Sequence, residues 1–229
     1  MMNSSGPRTQ AGSVYARRRA RILIADSHTL IAEAFKGLLE PEFEVVKTVP
    51  DGRMLMQAIV QLQPDVVILE ISMPELNGLD AGAMIKAERR NIKLVYVTVD
   101  SRPKVAAEAF RRGASGFVLK HGEAEEMRIA VRRAIRGEIY LSSLLDKEEV
   151  DMLRRLGTEF SDGDKMTLRQ REILQLLVEG KSMKEAAFIL AIRPGTVAFH
   201  KYSMMERLGI KTTAGLYEFA IRNNIACNS

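Results

Sequence analysis

Cysteine is almost absent: one occurs in 229 residues, Cys227, close to the C-terminal end. An internal disulfide is therefore excluded, and a reducing compartment, the cytoplasm, is expected. Histidine is scarce too. His28, His121 and His200 lie far apart and lack the spacing that metal ligands share. No apolar run approaches the ~18 residues of a membrane span, and the N-terminal stretch lacks the apolar core of a secretory signal. A glycine-rich phosphate loop and a nucleophile–base pair are also missing. These absences argue against an enzyme and for a protein that binds.

Charge of one sign is missing from particular segments. Residues 1–20 carry Arg8, Arg17, Arg18 and Arg19 and no acid. Residues 21–139 balance to zero, residues 140–164 sum to −4, and residues 165–229 sum to +5, for a net charge of +5. A neutral body, an acidic connector and a basic C-terminal piece imply a division of labour, with the basic piece meeting a polyanion. The first twenty residues read as a disordered basic tail.

From Arg21 short apolar runs alternate with helical patterns. "RILIA", "FEVVKTV", "DVVILE", "KLVYVTV" and "GFVLK" read as strands, each followed by a helix. In the first helix, Leu30, Ile31, Ala34, Phe35, Leu38 and Leu39 are expected on one face. "DVVILE" shows no polar alternation, as a strand covered on both sides requires. Five βα units predict a doubly wound five-stranded parallel sheet over residues 21–139. Residues 140–164 read as an acidic, partly helical linker. From residue 165 the pattern is helical only, four short helices with two capping-box spacings, Thr167 to Gln170 and Ser182 to Glu185. Residues 182–190 and 194–207 have the proportions of a helix-turn-helix.

Ligands of open parallel sheets bind where loops leave the carboxyl ends of the strands. Asp26 and Ser27, Glu70, Thr98 and Lys120 fall there in order. Acids, hydroxyls and a lysine around a central carboxylate make an arrangement suited to a phosphoryl group.

On "ILIADSH", "DVVILEISMPELNG", "VYVT" and "GASGFVLK", residues 21–137 resemble the receiver domains of bacterial two-component response regulators. "LRQREILQLLVEGKSMKEAAFILAIRPGTVAFHKYSMMERLGIK" is similar to the LuxR-type helix-turn-helix, and the domain order matches the NarL/FixJ subfamily. The resemblance implies a flavodoxin-like α/β receiver followed by a four-helix DNA-binding domain, and a regulator of transcription. Pro74 and Gly78 keep the family's loop spacing.

Two positions depart from that pattern. Glu70 stands where the family has its phosphoacceptor aspartate, and Ser27 where it has a second acid. Loss of a carboxylate weakens a magnesium site. A side chain longer by one methylene displaces the carboxylate by about 1.5 Å, against the in-line geometry phosphoryl transfer needs. No cofactor is therefore expected, with magnesium binding weak at most. Glu70 either mimics a phosphoryl group or pairs with Lys120 and locks the pocket. Thr98 and Phe117 occupy the family's switch positions, and Phe117 reads equally well as core.

In the C-terminal domain the resemblance places Ala198, Phe199 and Tyr202 towards the major groove and Val197 and His200 towards the framework. Thr196 joins the DNA-contacting set. Lys184, Arg193, Lys201 and Lys211 are expected on phosphates. Alanine and phenylalanine can meet only thymine methyls or exclude water, so the recognition surface is unusually apolar. Expected partners are double-stranded DNA, a second copy of the chain through those of Leu216, Tyr217, Phe219, Ala220 and Ile221 that do not fill the domain's own core, and a sensor kinase or other regulatory protein.

Overall fold

The structure is a computed structural model that describes residues 18–156 and 166–226. Ten helices and six strands occur among them, in the order β1 (Arg21–Ala25), α1 (Thr29–Leu39), β2 (Glu44–Val49), α2 (Gly52–Leu62), β3 (Val66–Glu70), α3 (Gly78–Glu88), β4 (Lys93–Thr98), α4 (Pro103–Arg111), β5 (Gly116–Leu119) and α5 (Ala124–Arg136). Then follow β6 (Tyr140–Leu141), α6 (Lys147–Leu156), α7 (Leu168–Val178), α8 (Met183–Ile189), α9 (Pro194–Leu208) and α10 (Thr213–Arg222).

The strands form one parallel sheet in the order β2-β1-β3-β4-β5-β6. Because side chains alternate across a strand, the two faces draw on alternate residues. Leu23, Val67, Leu69, Leu94, Tyr96 and Phe117 pack under α2, α3 and α4. Ile22, Ile24, Val66, Ile68, Val95 and Val97 pack under α1 and α5 on the other side. All five residues of β3 are buried, which accounts for its unbroken apolar run.

The sheet has one strand more than expected. Tyr140 and Leu141 pair with Gly116 and Phe117, and α6 packs on α4, burying Leu145 and Val150 in the receiver core. Residues 140–156, expected as linker, thus carry structure built onto the receiver. The rest of the expected linker, 157–164, lies outside the described residues. At the other end, Arg18 pairs with Asp65 at 3.3 Å and Ala20 packs against the sheet, so residues 18–20 are part of the receiver rather than tail. The tail expected over residues 1–17 lies outside the described residues, as does Cys227.

The face of α1 is also rotated from expectation. Ala32 and Leu39 are buried and Leu30 is 84% exposed. At 100° per residue, nine residues turn Leu30 to the side opposite Leu39.

In the C-terminal domain both capping boxes form, at Thr167 with Gln170 and at Ser182 with Glu185. Arg193 provides no side-chain cap to α9, whose first turn is set by Pro194. Leu174, Leu177, Ala186, Val197, Met204 and Leu216 join α7–α10 in one apolar core.

Candidate functional site

β3 ends in Glu70 and turns sharply. Gly78 N–H donates to Ile71 O at 2.8 Å, and a Cβ on Gly78 would lie 2.1 Å from Glu70 O. Only glycine fits there, a physical reason for the position eight residues after the carboxylate. The loop holds Glu70 inward, 1% exposed, beside Asp26 at 3%.

Lys120, from the end of β5, reaches between the two acids. Its Nζ lies 2.5 Å from Glu70 Oε2 and 2.7 Å from Asp26 Oδ2, with the side chain 5% exposed. The second oxygen of each acid is also engaged. Ser72 N–H donates to Glu70 Oε1 at 2.9 Å, and His28 N–H donates to Asp26 Oδ1 at 2.9 Å. Each acid therefore has one oxygen hydrogen-bonded to a backbone amide and the other in ionic contact with Lys120, whose Nζ lies close without hydrogen-bond geometry.

Thr98 is buried at the end of β4, but its Oγ1 accepts from Asp100 N–H at 3.2 Å and is not bonded to Glu70. The expectation that Thr98 and Lys120 gather together around Glu70 therefore holds only for Lys120. Thr98 serves its own loop because the Asp100 amide turns back onto it. Phe117 is fully buried among Tyr96, Ala106 and Ala107. Ser27 is half-buried.

The magnesium ion implied by the resemblance does not fit these residues. The place between the two carboxylates is taken by an ammonium group, and Ser27 brings no charge. Hard oxygen ligands in octahedral arrangement cannot be assembled without displacing Lys120. No group of three or more His, Cys, Asp or Glu side chains able to hold a metal occurs among the described residues.

The loop that turns at Gly78 also meets the second domain. Asn77 N–H donates to Gln175 Oε1, and Gln175 Nε2 donates to Met73 O, both at 2.8 Å. Glu75, in the left-handed region at φ 63°, donates its N–H to both oxygens of Glu179 at 3.1 Å. Arg171 and Arg112 converge on the buried Asp80 at 2.7 and 2.6 Å. Sequence reasoning missed this set. In α7 the polar Gln170, Arg171, Glu172 and Gln175 are buried by this contact, which their sequence alone does not show.

On α9, Val197 and Met204 are buried, while Phe199 and Tyr202 are 68% and 60% exposed. Thr196, Arg193, Lys184 and Lys211 are exposed, and Ala198 and His200 are half-buried. Lys201 is half-buried, and its Nζ donates to Thr213 Oγ1 at 3.0 Å, which ties α9 to α10 through one of its three N–H donors. Phe188 on α8 is 88% exposed and had no signal in the sequence. Of the apolar residues of α10, Leu216, Phe219 and Ala220 fill the domain's own core, leaving Tyr217 and Ile221 half-buried.

A parallel sheet with a carboxylate pocket at its carboxyl edge, joined to a helix-turn-helix with an outward recognition helix, defines a two-domain regulator of the receiver and DNA-binding class. Residues 22–132 match the response regulator receiver domain, and residues 164–220 match the luxR family of bacterial regulatory proteins. The chain is 32% identical to the transcriptional regulatory protein MctR of Rhizobium johnstonii, over 91% of this chain and 96% of that protein. It is 31% identical to the oxygen regulatory protein NreC of Staphylococcus aureus, over 90% and 98%. RcsB of Salmonella enterica serovar Typhimurium, solved bound to the promoter rprA, shares the fold with a TM-score of 0.58 at 22% identity, over 88% of this chain and 98% of that one. The chain belongs to the NarL/FixJ-type response regulators.

Proposed function

We propose that this chain is a DNA-binding transcription regulator whose receiver is held by a built-in ion network instead of being switched by phosphorylation at the end of β3. The observation that carries this is Lys120 seated between Glu70 and Asp26 at 2.5 and 2.7 Å, with the other oxygen of each acid held by a backbone amide. A phosphoryl acceptor must present a free oxygen in line with the donor, and phosphoryl transfer tolerates little misplacement. Magnesium binding is correspondingly weak.

Of the two roles for Glu70, the geometry favours the lock. A mimic must engage the residue that reads it, and Thr98 makes its side-chain hydrogen bond with Asp100 N–H, which it accepts, and none with Glu70. One negative charge is also less than the −1.5 to −2 of a phosphoryl group. A fixed charge can shift a two-state receiver only by its differential interaction with the two states.

DNA binding rests on the exposed face of α9 together with Lys184, Arg193 and Lys211. RcsB, a similar fold, has been solved on promoter DNA and as dimers on DNA, and we extend both properties to this chain. α9 stands outward while the domains are docked, so docking leaves the recognition face accessible.

The test is a DNA titration of the purified chain with and without acetyl phosphate and magnesium. Unchanged, sequence-dependent affinity supports the reading. A marked gain on treatment favours a conventional phosphorylation switch through another acceptor, and absence of any sequence preference favours a protein-binding adaptor.

A further inference from the structure

We propose that the cleft between the two domains is a binding site for a phosphate-sized dianion. The cleft has a volume of about 100 Å³ and is lined from the receiver by Lys104, Arg111 and Arg112 and from the second domain by Arg171 and Arg222. Five cations converge on a space that has one acid in its wall, Glu108. Asp80 lies beneath and is held by Arg112 and Arg171. Counting both acids leaves a surplus of three positive charges around the cavity.

The pairing within the cleft shows where that surplus lies. Glu108 is bound by both Arg111 and Arg112. Asp100, a further acid near Lys104, is held by Arg102. Lys104 and Arg222 are the two lining cations with no ion pair among the described residues, and they come from opposite domains. Both are exposed at the cleft, so their N–H donors face solvent and are open to an anion. A surplus of three positive charges suits an anion of more than one charge.

Size narrows the chemistry. Pockets for drug-sized organic ligands run to roughly 300–1,000 Å³, and one water takes about 30 Å³ of liquid volume. The cleft of about 100 Å³ is open to solvent, so it has room for a tetrahedral oxyanion while any larger remainder of the ligand stays outside. Arginine forks suit phosphate oxygens with paired N–H donors. The ligand is a phosphoryl-type dianion, either the free ion or the end of a phosphomonoester whose remainder stays outside. By touching both domains it would strengthen their docking, at a place separate from the Glu70 pocket.

Isothermal titration of the full chain with inorganic phosphate, at ionic strength matched with chloride, tests the proposal. One saturable site is expected, with affinity at least tenfold weaker in the Lys104→Ala/Arg222→Ala double variant. Both residues are exposed, and circular dichroism checks that the fold is kept. Arg136→Ala, a cation of α5 outside the cleft, should titrate like wild type. Phosphate at ten times its dissociation constant should raise the thermal midpoint by about 3 °C. Glycerol 3-phosphate binding as tightly as phosphate supports an esterified ligand, and binding of phosphate alone supports the free ion. Heats that never saturate, or a double variant that binds as wild type does, overturn the proposal.

Discussion

Arg171 of α7 and Asp80 of α3 meet across the domain boundary, with Arg171 Nε 2.7 Å from one carboxylate oxygen and 2.8 Å from the other. Both side chains are at least 95% buried, so the pair is desolvated as well as close. Removing one member of a buried pair normally costs about 3–5 kcal/mol. Here Arg112 stays on Asp80, so Arg171→Ala should cost less, about 1.5–3 kcal/mol, the range of hydrogen bonds to charged groups. Urea denaturation measures the loss. Hydrogen exchange of the loop from Met73 to Asp80 should accelerate in the variant; exchange equal to wild type would show that the contact does not hold the domains.

Lys120→Ala leaves Glu70 and Asp26 facing each other, buried and without a counter-ion. A loss of about 3–5 kcal/mol of stability is expected. Glu70→Gln should cost less, since the amide keeps an acceptor for Ser72 N–H and Lys120 keeps Asp26. Under the lock reading, DNA affinity per folded molecule stays the same in Glu70→Gln. A weaker DNA complex in that variant, with folding verified, would favour mimicry instead.

Glu179 gives the docking a pH dependence of known sign. Burial raises its carboxyl pKa; hydrogen bonds from Gln175 and the Glu75 amide oppose this, and the Glu75 carboxylate adds to it, for a net rise above 4.5. A carboxyl whose pKa is raised in the folded, docked state takes up a proton there more readily than when released. Its contribution is thus fully present below the ordinary carboxylate value and is lost as pH rises through the raised one. Other carboxylates, Glu108 and Glu126 among them, have lowered values and act in the opposite sense. The clean comparison is the thermal midpoint of wild type and Glu179→Gln between pH 4 and 7. The difference between them should shift in favour of wild type on acidification, and a constant difference would contradict the assignment.

Affinity and specificity should separate on the DNA face. Lys184→Ala is expected to weaken binding about equally on all sequences and to reduce the salt slope by about one. Tyr202→Ala should change the preference among sites, since it stands exposed on α9. Binding untouched by both would move the interface away from α9.

Much of this architecture was legible in the chain because burial imposes period. The doubly covered β3 reads as an unbroken apolar run, and the capping boxes at Thr167 and Ser182 mark where helices begin. β6 was hidden because two residues carry no period, and its pairing with β5 is a tertiary event. The face of α1 was misjudged because an exposed leucine, Leu30, looks like a core residue in sequence. At the pocket, the residue types at the strand ends named Asp26, Glu70 and Lys120, but not that one ammonium group serves both acids. The α7 polar residues were unreadable as an interface, since a helix shows which side is polar and not that a second domain covers it.

The most direct measurement of the ion-locked receiver is intact mass after incubation with acetyl phosphate and magnesium. Expected is no mass gain on the receiver, because Lys120 and the loop amides already hold the oxygens of Glu70 and Asp26. A near-stoichiometric, hydrolysable phosphoryl adduct on residues 21–139 would contradict it.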